Sequence, residues 1–383
     1  MAAATDTEVL AQYYDDYVAD QERRLPLPAD PRFPETVRLA ERIDDNHWSA
    51  LETAPTDQDR ASFERLRQKS ASAAEIVVRM LAVFLGADEL ALDGLGAMQD
   101  VRKKEIEDSI KRRANQEVTH SRVYSNLAQC ILDPATYERA QKIDKSHPAL
   151  QQLRAWARNE IVDQPAYKQQ LVLGVLELVM FVALFVIPHV LKKMNVCPTL
   201  ADANMLISRD ESDHVDAAAA AIQESFALAP REIRAALIRE TRRLLLAGCA
   251  AVDPMLGWVF EPGKVMDIGY GEAQKWTQYM CNRFMQKINR LEQYSDCGGK
   301  EPVFPAVVQC PLPWMEILSV PNARVNFFEV GVAVYDKKAK AETLQLATAA
   351  EIAQWRPIVR GVTGTPLRFA ARVLSEIDKL LPK

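Results

Sequence analysis

Apolar residues recur at helical spacing through most of the chain, and this pattern predicts a succession of long helices. The predicted helical segments are residues 36–45, 60–95, 101–132, 166–192, 200–228, 230–251 and 270–293. No segment shows the alternation of apolar and polar positions that is typical of strands. With only 14 Gly in 383 residues, backbone-flexible positions are also few, which favours helix further. We therefore predict an all-α fold, with at most a short hairpin in residues 295–325.

The two ends of the chain differ from its middle in composition. Residues 1–35 combine an acidic start with Pro26, Pro28, Pro31 and Pro34, which predicts a partly ordered N-terminal arm. Residues 36–335 form the predicted helical domain. Residues 336–383 hold nine Lys or Arg against five Asp or Glu and end in FAARVLSEIDKLLPK. This basic C-terminal tail is predicted to finish in an amphipathic helix.

One apolar segment, residues 171–191, is long enough to cross a membrane. Glu177 in its first third and Pro188 near its end fit a membrane span badly, and no aromatic belt flanks it. A buried core helix is therefore the favoured interpretation over a membrane helix. The N-terminal residues are acidic and lack the apolar core of a signal peptide, so we expect a cytoplasmic protein without a membrane partner.

The net charge and the cysteine pattern argue against a nucleic-acid partner, a zinc site and a redox dithiol. The net charge of -5 and the scattered basic residues give no reason to expect a nucleic-acid partner. Six Cys are widely spaced without a C-x-x-C motif, which predicts reduced thiols rather than a zinc site or a redox dithiol.

Two Glu-x-x-His pairs stand out as candidate chemistry. Glu117 and His120 form one pair, and Glu211 and His214 form the other, in a chain with only five His. The i, i+3 spacing places both side chains of a pair on one helical face. Two such pairs, together with further Glu residues from apolar helices, are the ligand set of a dinuclear carboxylate site in a four-helix bundle.

The remaining two helices of such a bundle must each offer a carboxylate. Glu177 lies among apolar residues, where a carboxylate without a cation would be very costly. In the segment 85–95 we choose Glu89, with its neighbour Asp88 as the alternative. For each residue the competing interpretation is an ordinary surface position. The predicted ligands of two iron ions, or of a manganese–iron pair, are Glu89, Glu117, His120, Glu177, Glu211 and His214.

Four segments resemble the ribonucleotide reductase small, radical-generating subunit family. They are NQEVTHSRVYSNL, LELVMFVALF, LISRDESDH and WMEILSVPNARVNFFEVGVAVY, in the family's order within residues 47–335. The resemblance implies a ferritin-like helical bundle, a homodimer, two metals that activate dioxygen, and a large catalytic subunit as partner. It also implies a radical tyrosine at Tyr124, shielding apolar residues at Phe181, Phe185 and Ile207, and an acidic radical-relay residue at Asp210. The alternative for Tyr124 is a packed core tyrosine.

Three departures from the family keep a second function open. The relay aromatic is expected about fourteen residues before Trp48, where this chain has Phe33 and Pro34, and no Tyr follows Tyr335. The tail is basic, whereas the family's tail is typically acidic. These features favour a stand-alone di-metal oxygenase acting on a small molecule that enters the bundle. A metal-binding relative without turnover is a third possibility, against which the intact ligand set argues.

Overall fold

The protein is a helical bundle in the computed structural model, which describes residues 5–22, 33–98, 104–289 and 301–315. Within these ranges there is no strand, only an isolated bridge between Val265 and Ile268, so the predicted fold class is confirmed. The predicted hairpin in 295–325 lies largely outside the described residues. The helices are α1 (Asp6–Glu22), α2 (Pro34–Asp45), α3 (Asp57–Lys69), α4 (Ala71–Ala97), α5 (Lys104–Ile131), α6 (Pro134–Ser146), α7 (Pro148–Ile161), α8 (Ala166–Lys193), α9 (Pro198–Ser225), α10 (Arg231–Val259) and α11 (Tyr270–Ile288).

Four long helices, α4, α5, α9 and α8, form a ring in which each packs against the next. Helices α10 and α11 cover α8 on its outer side, while α2 lies against α5 and α9. Helices α3, α6 and α7 pack against α4. Each ring helix therefore has one side facing the other three, and the core of the bundle lies between them.

Helix α8 is the apolar segment that the sequence singles out. It is long and apolar enough to cross a membrane, but 94% of its most apolar window is buried by the surrounding helices. A helix that is hydrophobic all round needs such cover, because no polar face is available to meet water. The helix is thus part of the protein core, in agreement with the prediction.

Small residues bring α8 and α9 close together. A Cβ atom added at Gly174 of α8 would lie 2.9 Å from the Cβ of Ala218 on α9, closer than two carbons can pack. Gly174 stands one turn before Glu177, and Ala218 one turn after His214. The close approach of the two backbones is therefore located beside two predicted ligands.

The predicted helix 60–95 is two helices, because the chain turns at Ser70. This residue has extended backbone angles, φ −152° and ψ 95°, and it both ends α3 and precedes α4. Its hydroxyl accepts a hydrogen bond from the backbone N–H of Ala73 at 3.2 Å, which caps a free donor at the start of α4. Apolar periodicity runs through the turn, so it could not mark the break.

Part of the predicted N-terminal arm is an ordered helix. Leu10 and Tyr14 of α1 are buried, and Asp6 accepts two hydrogen bonds from Arg239 of α10 at 2.6 and 2.8 Å. All described residues fall within one compact unit, Met1–Asn322. The predicted divisions at residues 35 and 335 stay predictions, and the tail 336–383 lies outside the described residues.

Candidate metal centre

The ring helices bring six buried side chains together in the middle of the bundle. They form two overlapping groups in which the potential ligand atoms all lie within 4.8 Å of one another. The first group is Asp88, Glu117, His120 and Glu211, and the second is Glu117, Glu177, Glu211 and His214. None of the six is more than 2% exposed. Because Glu117 and Glu211 belong to both groups, they stand where bridging carboxylates of a two-metal site would be needed.

The two Glu-x-x-His pairs face each other across the bundle. The Nδ1 atom of His120 lies 3.0 Å from Oε1 of Glu211, and the Nδ1 atom of His214 lies 2.9 Å from Oε1 of Glu117. Each imidazole therefore approaches the glutamate of the other helix more closely than its own partner, which is 3.5 Å away in both pairs.

The carboxylate that α4 contributes is Asp88 and not Glu89. Asp88 is 1% exposed and belongs to the first group, whereas Glu89 is exposed. The reason is the position of each residue around the helix. One buried stripe of α4 runs through Leu81, Phe84 and Asp88, at spacings of three and four residues. Glu89 is turned about 100° away from that stripe. The apolar periodicity of α4 was therefore a usable signal for Asp88.

Both imidazoles are oriented from outside the cluster. His120 places Nε2 3.2 Å from Oδ2 of Asp210, and His214 places Nε2 2.8 Å from Oε1 of Gln116. An oxygen acceptor at Nε2 requires the proton on that nitrogen, which leaves the Nδ1 lone pair for the cluster. This is the arrangement in which histidine ligates a metal through Nδ1.

Many buried polar atoms of the cluster have no hydrogen-bond partner. They include both carboxylate oxygens of Asp88, Glu117 and Glu211 and the Nδ1 atoms of both histidines. Buried polar groups are normally satisfied, and a cluster of unsatisfied carboxylates is very costly without cations. Metal ions bound between these atoms would remove that cost. The oxygen-rich set with two imidazoles fits iron or manganese.

The pKa values of the cluster are shifted by burial and by the close packing of its charged groups. Burial and neighbouring Glu117 raise the pKa of Asp88 well above its usual range. For Glu117, burial would raise the pKa, but the two imidazoles lower it to about 2. For His214, burial would lower the pKa, but Glu211 and Glu117 raise it to about 10. Metal ions that bind at Nδ1 of these imidazoles would compete with protons for that nitrogen.

Glu177 differs from the other carboxylates because it has an arginine partner. Nη2 of Arg113 donates to both carboxylate oxygens, at 2.7 and 2.9 Å. Burial raises the pKa of Glu177 to about 7, and Arg113 opposes that rise. Arg113 lies one turn before Glu117 on α5 and is 2% exposed. A buried arginine at this position is not among the sequence predictions.

Trp48 is the aromatic partner of Asp210, a contact that the sequence analysis did not predict. Its indole N–H donates to Oδ2 of Asp210 at 2.6 Å, the same oxygen that lies 3.2 Å from Nε2 of His120. Arg209 donates to the other oxygen of Asp210 at 2.9 Å. Asp210 therefore has a tryptophan partner, although Trp48 does not lie at the position where the relay aromatic was expected. Trp48 lies in the loop between α2 and α3, where no periodicity could have identified it.

Tyr124 is fully buried next to the cluster in an aromatic pocket. Its ring stacks on Phe84 with centroids 4.5 Å apart, and Phe181 and Phe185 pack around Phe84. Burial, with added effects of Asp88, Glu211 and Glu117, raises the pKa of Tyr124 well above its usual value, so the phenol stays protonated. Predicted Ile207 is buried on α9.

The hydroxyl group of Tyr124 donates a hydrogen bond to Oδ1 of Asn204 at 2.9 Å. The amide of Asn204 in turn donates to Ser208 at 3.1 Å. Neither residue belongs to the sequence-predicted set. Their spacing of four on α9 puts them on one face, but nothing local indicates that this face meets Tyr124.

Comparison with known proteins identifies relatives over most of the chain. The family model "Ribonucleotide reductase, small chain" matches residues 29–302. The ribonucleoside-diphosphate reductase small chain of Nicotiana tabacum is 23% identical over 317 residues, covering 82% of this chain and 89% of that protein. The corresponding small chain of Trypanosoma brucei brucei is 24% identical over 315 residues, covering 80% and 85%.

Solved structures show the same fold. A putative class I ribonucleotide reductase from Bacillus halodurans superposes with a TM-score of 0.63 at 16% identity, over 74% of this chain and 99% of that one. The dimanganese(II)-NrdF of Streptococcus sanguinis gives a TM-score of 0.61 at 19% identity, over 70% and 90%. At these identities the likeness supports the ferritin-like helical fold alone.

Proposed function

From the premise that this chain belongs to the ribonucleotide reductase small-chain family, and is thus an oxidoreductase, we propose that it generates the radical used for deoxyribonucleotide synthesis. The observation that carries the proposal is the buried cluster of carboxylates and imidazoles, in which the oxygens of Asp88, Glu117 and Glu211 and the Nδ1 atoms of both histidines make no hydrogen bond. Tyr124, enclosed beside that cluster, would hold the radical.

Two metal ions are the cofactor of this proposal, either two iron ions or a manganese–iron pair. Asp88 and His120 would hold one ion, Glu177 and His214 would hold the other, and Glu117 and Glu211 would bridge them. When bound, the ions would supply the redox chemistry with dioxygen that oxidises Tyr124. Iron and manganese accept the same oxygen-rich ligands, so the ligand types do not distinguish between them.

The residues around Tyr124 support its role as the oxidised group. Oxidation of the phenol to a neutral radical would remove one electron and the hydroxyl proton, with dioxygen at the metal centre beside it as the acceptor of both. The radical persists only where water and reductants are excluded. Tyr124 is fully buried and stacks on Phe84, against which Phe181 and Phe185 pack. Asn204 fixes the hydroxyl group but is a poor proton acceptor, because a neutral amide oxygen binds a proton only weakly.

Trp48 and Asp210 support export of the oxidising equivalent from the cluster. Their hydrogen bond, continued to His120, joins the metal site to the loop that follows α2. We propose Trp48 as the aromatic relay residue and Asp210 as its acidic partner. Ribonucleotide reductase small subunits pair with a large subunit and are typically dimeric. We propose both associations for this chain, in the cytoplasm.

The second candidate function is a stand-alone oxygenase for a small molecule. The absence of Tyr after Tyr335 and the basic composition of residues 336–383 favour it, because a relay to a docked partner needs a stepping stone in the tail. The Trp48–Asp210 contact favours the reductase subunit instead, since an internal oxygenase site has no use for it.

The test is aerobic reconstitution of the metal-free protein with ferrous iron, followed by electron paramagnetic resonance. We expect a tyrosyl signal that Tyr124→Phe abolishes and that Tyr167→Phe, a buried tyrosine on α8 bonded to a backbone carbonyl, leaves unchanged. Nucleotide reduction should then appear when a large subunit is added. Oxygen consumption without a tyrosyl signal or subunit binding would favour the oxygenase.

A further inference from the structure

Arg113 places a permanent positive charge inside the proposed metal site. Its guanidinium group is buried with Glu177, and one nitrogen donates to both carboxylate oxygens. Arginine does not lose its proton in proteins, so the guanidinium brings a full positive charge to the cluster. The Nε atom of Arg113 has no hydrogen-bond partner, which means that the contact with Glu177 is what compensates the burial of the charge.

This charge makes the two metal positions unequal. In the first group, the oxygens of Asp88 have no hydrogen-bond partner and are free to ligate a cation. In the second group, both oxygens of Glu177 are already engaged by Arg113. A metal ion that binds Glu177 must either displace the guanidinium, leaving a buried charge unpaired, or bind close to it and be repelled.

We propose that Arg113 is an internal counter-cation that competes with one of the two metal ions for Glu177. The two positions then fill in order: the position of Asp88 and His120 first, and the position of Glu177 and His214 second and more weakly. In the metal-free protein Arg113 neutralises one of the four clustered carboxylates. The inference rests on the proposed two-metal function but concerns metal affinity, which is measured without any enzymatic activity.

The test is titration of the full-length metal-free protein with Mn²⁺ alone, with free Mn²⁺ followed by electron paramagnetic resonance. For the unaltered protein we expect two ions with clearly separated affinities. In Arg113→Gln the second ion should bind about tenfold to a hundredfold more tightly, the range over which groups behind metal ligands tune affinity, while the first changes little. Glutamine is polar like arginine but carries no charge.

Arg112→Gln is the matched control. Arg112 is the adjacent residue of α5 and also carries a positive charge, but it pairs with Asp108 and Asp44 outside the cluster. Its replacement should leave both affinities unchanged. Arg113→Lys keeps the charge and should keep the unequal filling. A helical circular dichroism spectrum like that of the unaltered protein checks that each variant is folded.

The outcomes separate this inference from the proposed function. Two equal affinities in the unaltered protein would overturn the competition by Arg113 while leaving the two-metal site in place, and this measurement needs no variant. An unchanged second affinity in folded Arg113→Gln would also overturn it and make Arg113 a structural ion pair. No bound Mn²⁺ at all would refute both the metal site and the inference.

Discussion

The half of the cluster with Asp88 and the half with Glu177 share two carboxylates but differ in their surroundings. Asp88 has no hydrogen-bond partner, whereas Glu177 is held by Arg113. Behind the first half, the charged Asp210 supports His120 and contacts Trp48. Behind the second, the neutral Gln116 supports His214 and donates only to a backbone carbonyl.

The difference predicts that similar ligands do not make equivalent metal positions. Each half offers one imidazole, one carboxylate of its own and the two shared glutamates, so ligand chemistry alone predicts similar ions with similar affinity. The groups behind the ligands set the local charge. They connect the first half to the α2–α3 loop through Asp210 and Trp48, while Arg113 leaves the second half partly neutralised.

The largest expected effect comes from removing a ligand that the halves share. Glu117→Ala should reduce the metal content from two ions per chain to none, because both positions lose a carboxylate. Asp88→Ala should leave one ion, bound weakly at the Glu177 half. Elemental analysis after metal loading and desalting measures both. Glu89→Ala is the matched control on the exposed side of α4 and should retain two ions; a loss there would restore Glu89 as the ligand.

The next largest effect concerns the hydrogen bonds that link His120 through Asp210 to Trp48 in the first half. Trp48→Phe removes the hydrogen bond to Asp210 and should abolish nucleotide reduction with the large subunit. The metal content and the tyrosyl signal should persist, because Trp48 is not a ligand. Trp156→Phe, on α7, serves as control and should keep full activity. Loss of the tyrosyl signal in Trp48→Phe would instead mean that Trp48 is needed to form the radical.

A smaller effect is expected from the residues that orient the imidazoles. Asp210→Asn should weaken binding of the first ion by about tenfold, because a charged acceptor makes the imidazole a stronger ligand than a neutral one does. Gln116→Ala should weaken the second ion less, since it removes only a neutral acceptor. Mn²⁺ titration measures both affinities. Equal losses in the two variants would contradict the electrostatic difference between the halves.

The smallest expected effect is on stability at the close approach of α8 and α9. Gly174→Ala places a Cβ atom 2.9 Å from that of Ala218 and should destabilise the metal-free protein by about 1–3 kcal/mol through overpacking. Gly257→Ala meets no atom within 4 Å and should instead stabilise α10 by up to about 1 kcal/mol. Urea unfolding followed by circular dichroism gives both values. A stable Gly174→Ala variant would show that the helices can separate without cost.

Local pattern was sufficient for the helices and for most of the residues in the buried cluster. The Glu-x-x-His pairs could be identified because three residues along a helix return to the same face, and Glu177 because a carboxylate inside an apolar helix demands compensation. The same periodicity places Asp88 on the buried face of α4, one position before Glu89, the residue that the sequence analysis selected. The periodicity did not reveal the turn at Ser70, because the apolar positions continue across the break between α3 and α4.

The sequence by itself therefore determined which residues are ligand candidates and that their helices belong in one core. Only the tertiary structure decided what stands behind them. Trp48 meets Asp210 across 162 residues of sequence, and Arg113 meets Glu177 across 64. Such contacts depend on how helices are packed and on where a loop returns, and no repeat of three or four residues encodes them. The asymmetry of the cluster consists of these long-range contacts, so it became visible only when the chain was folded.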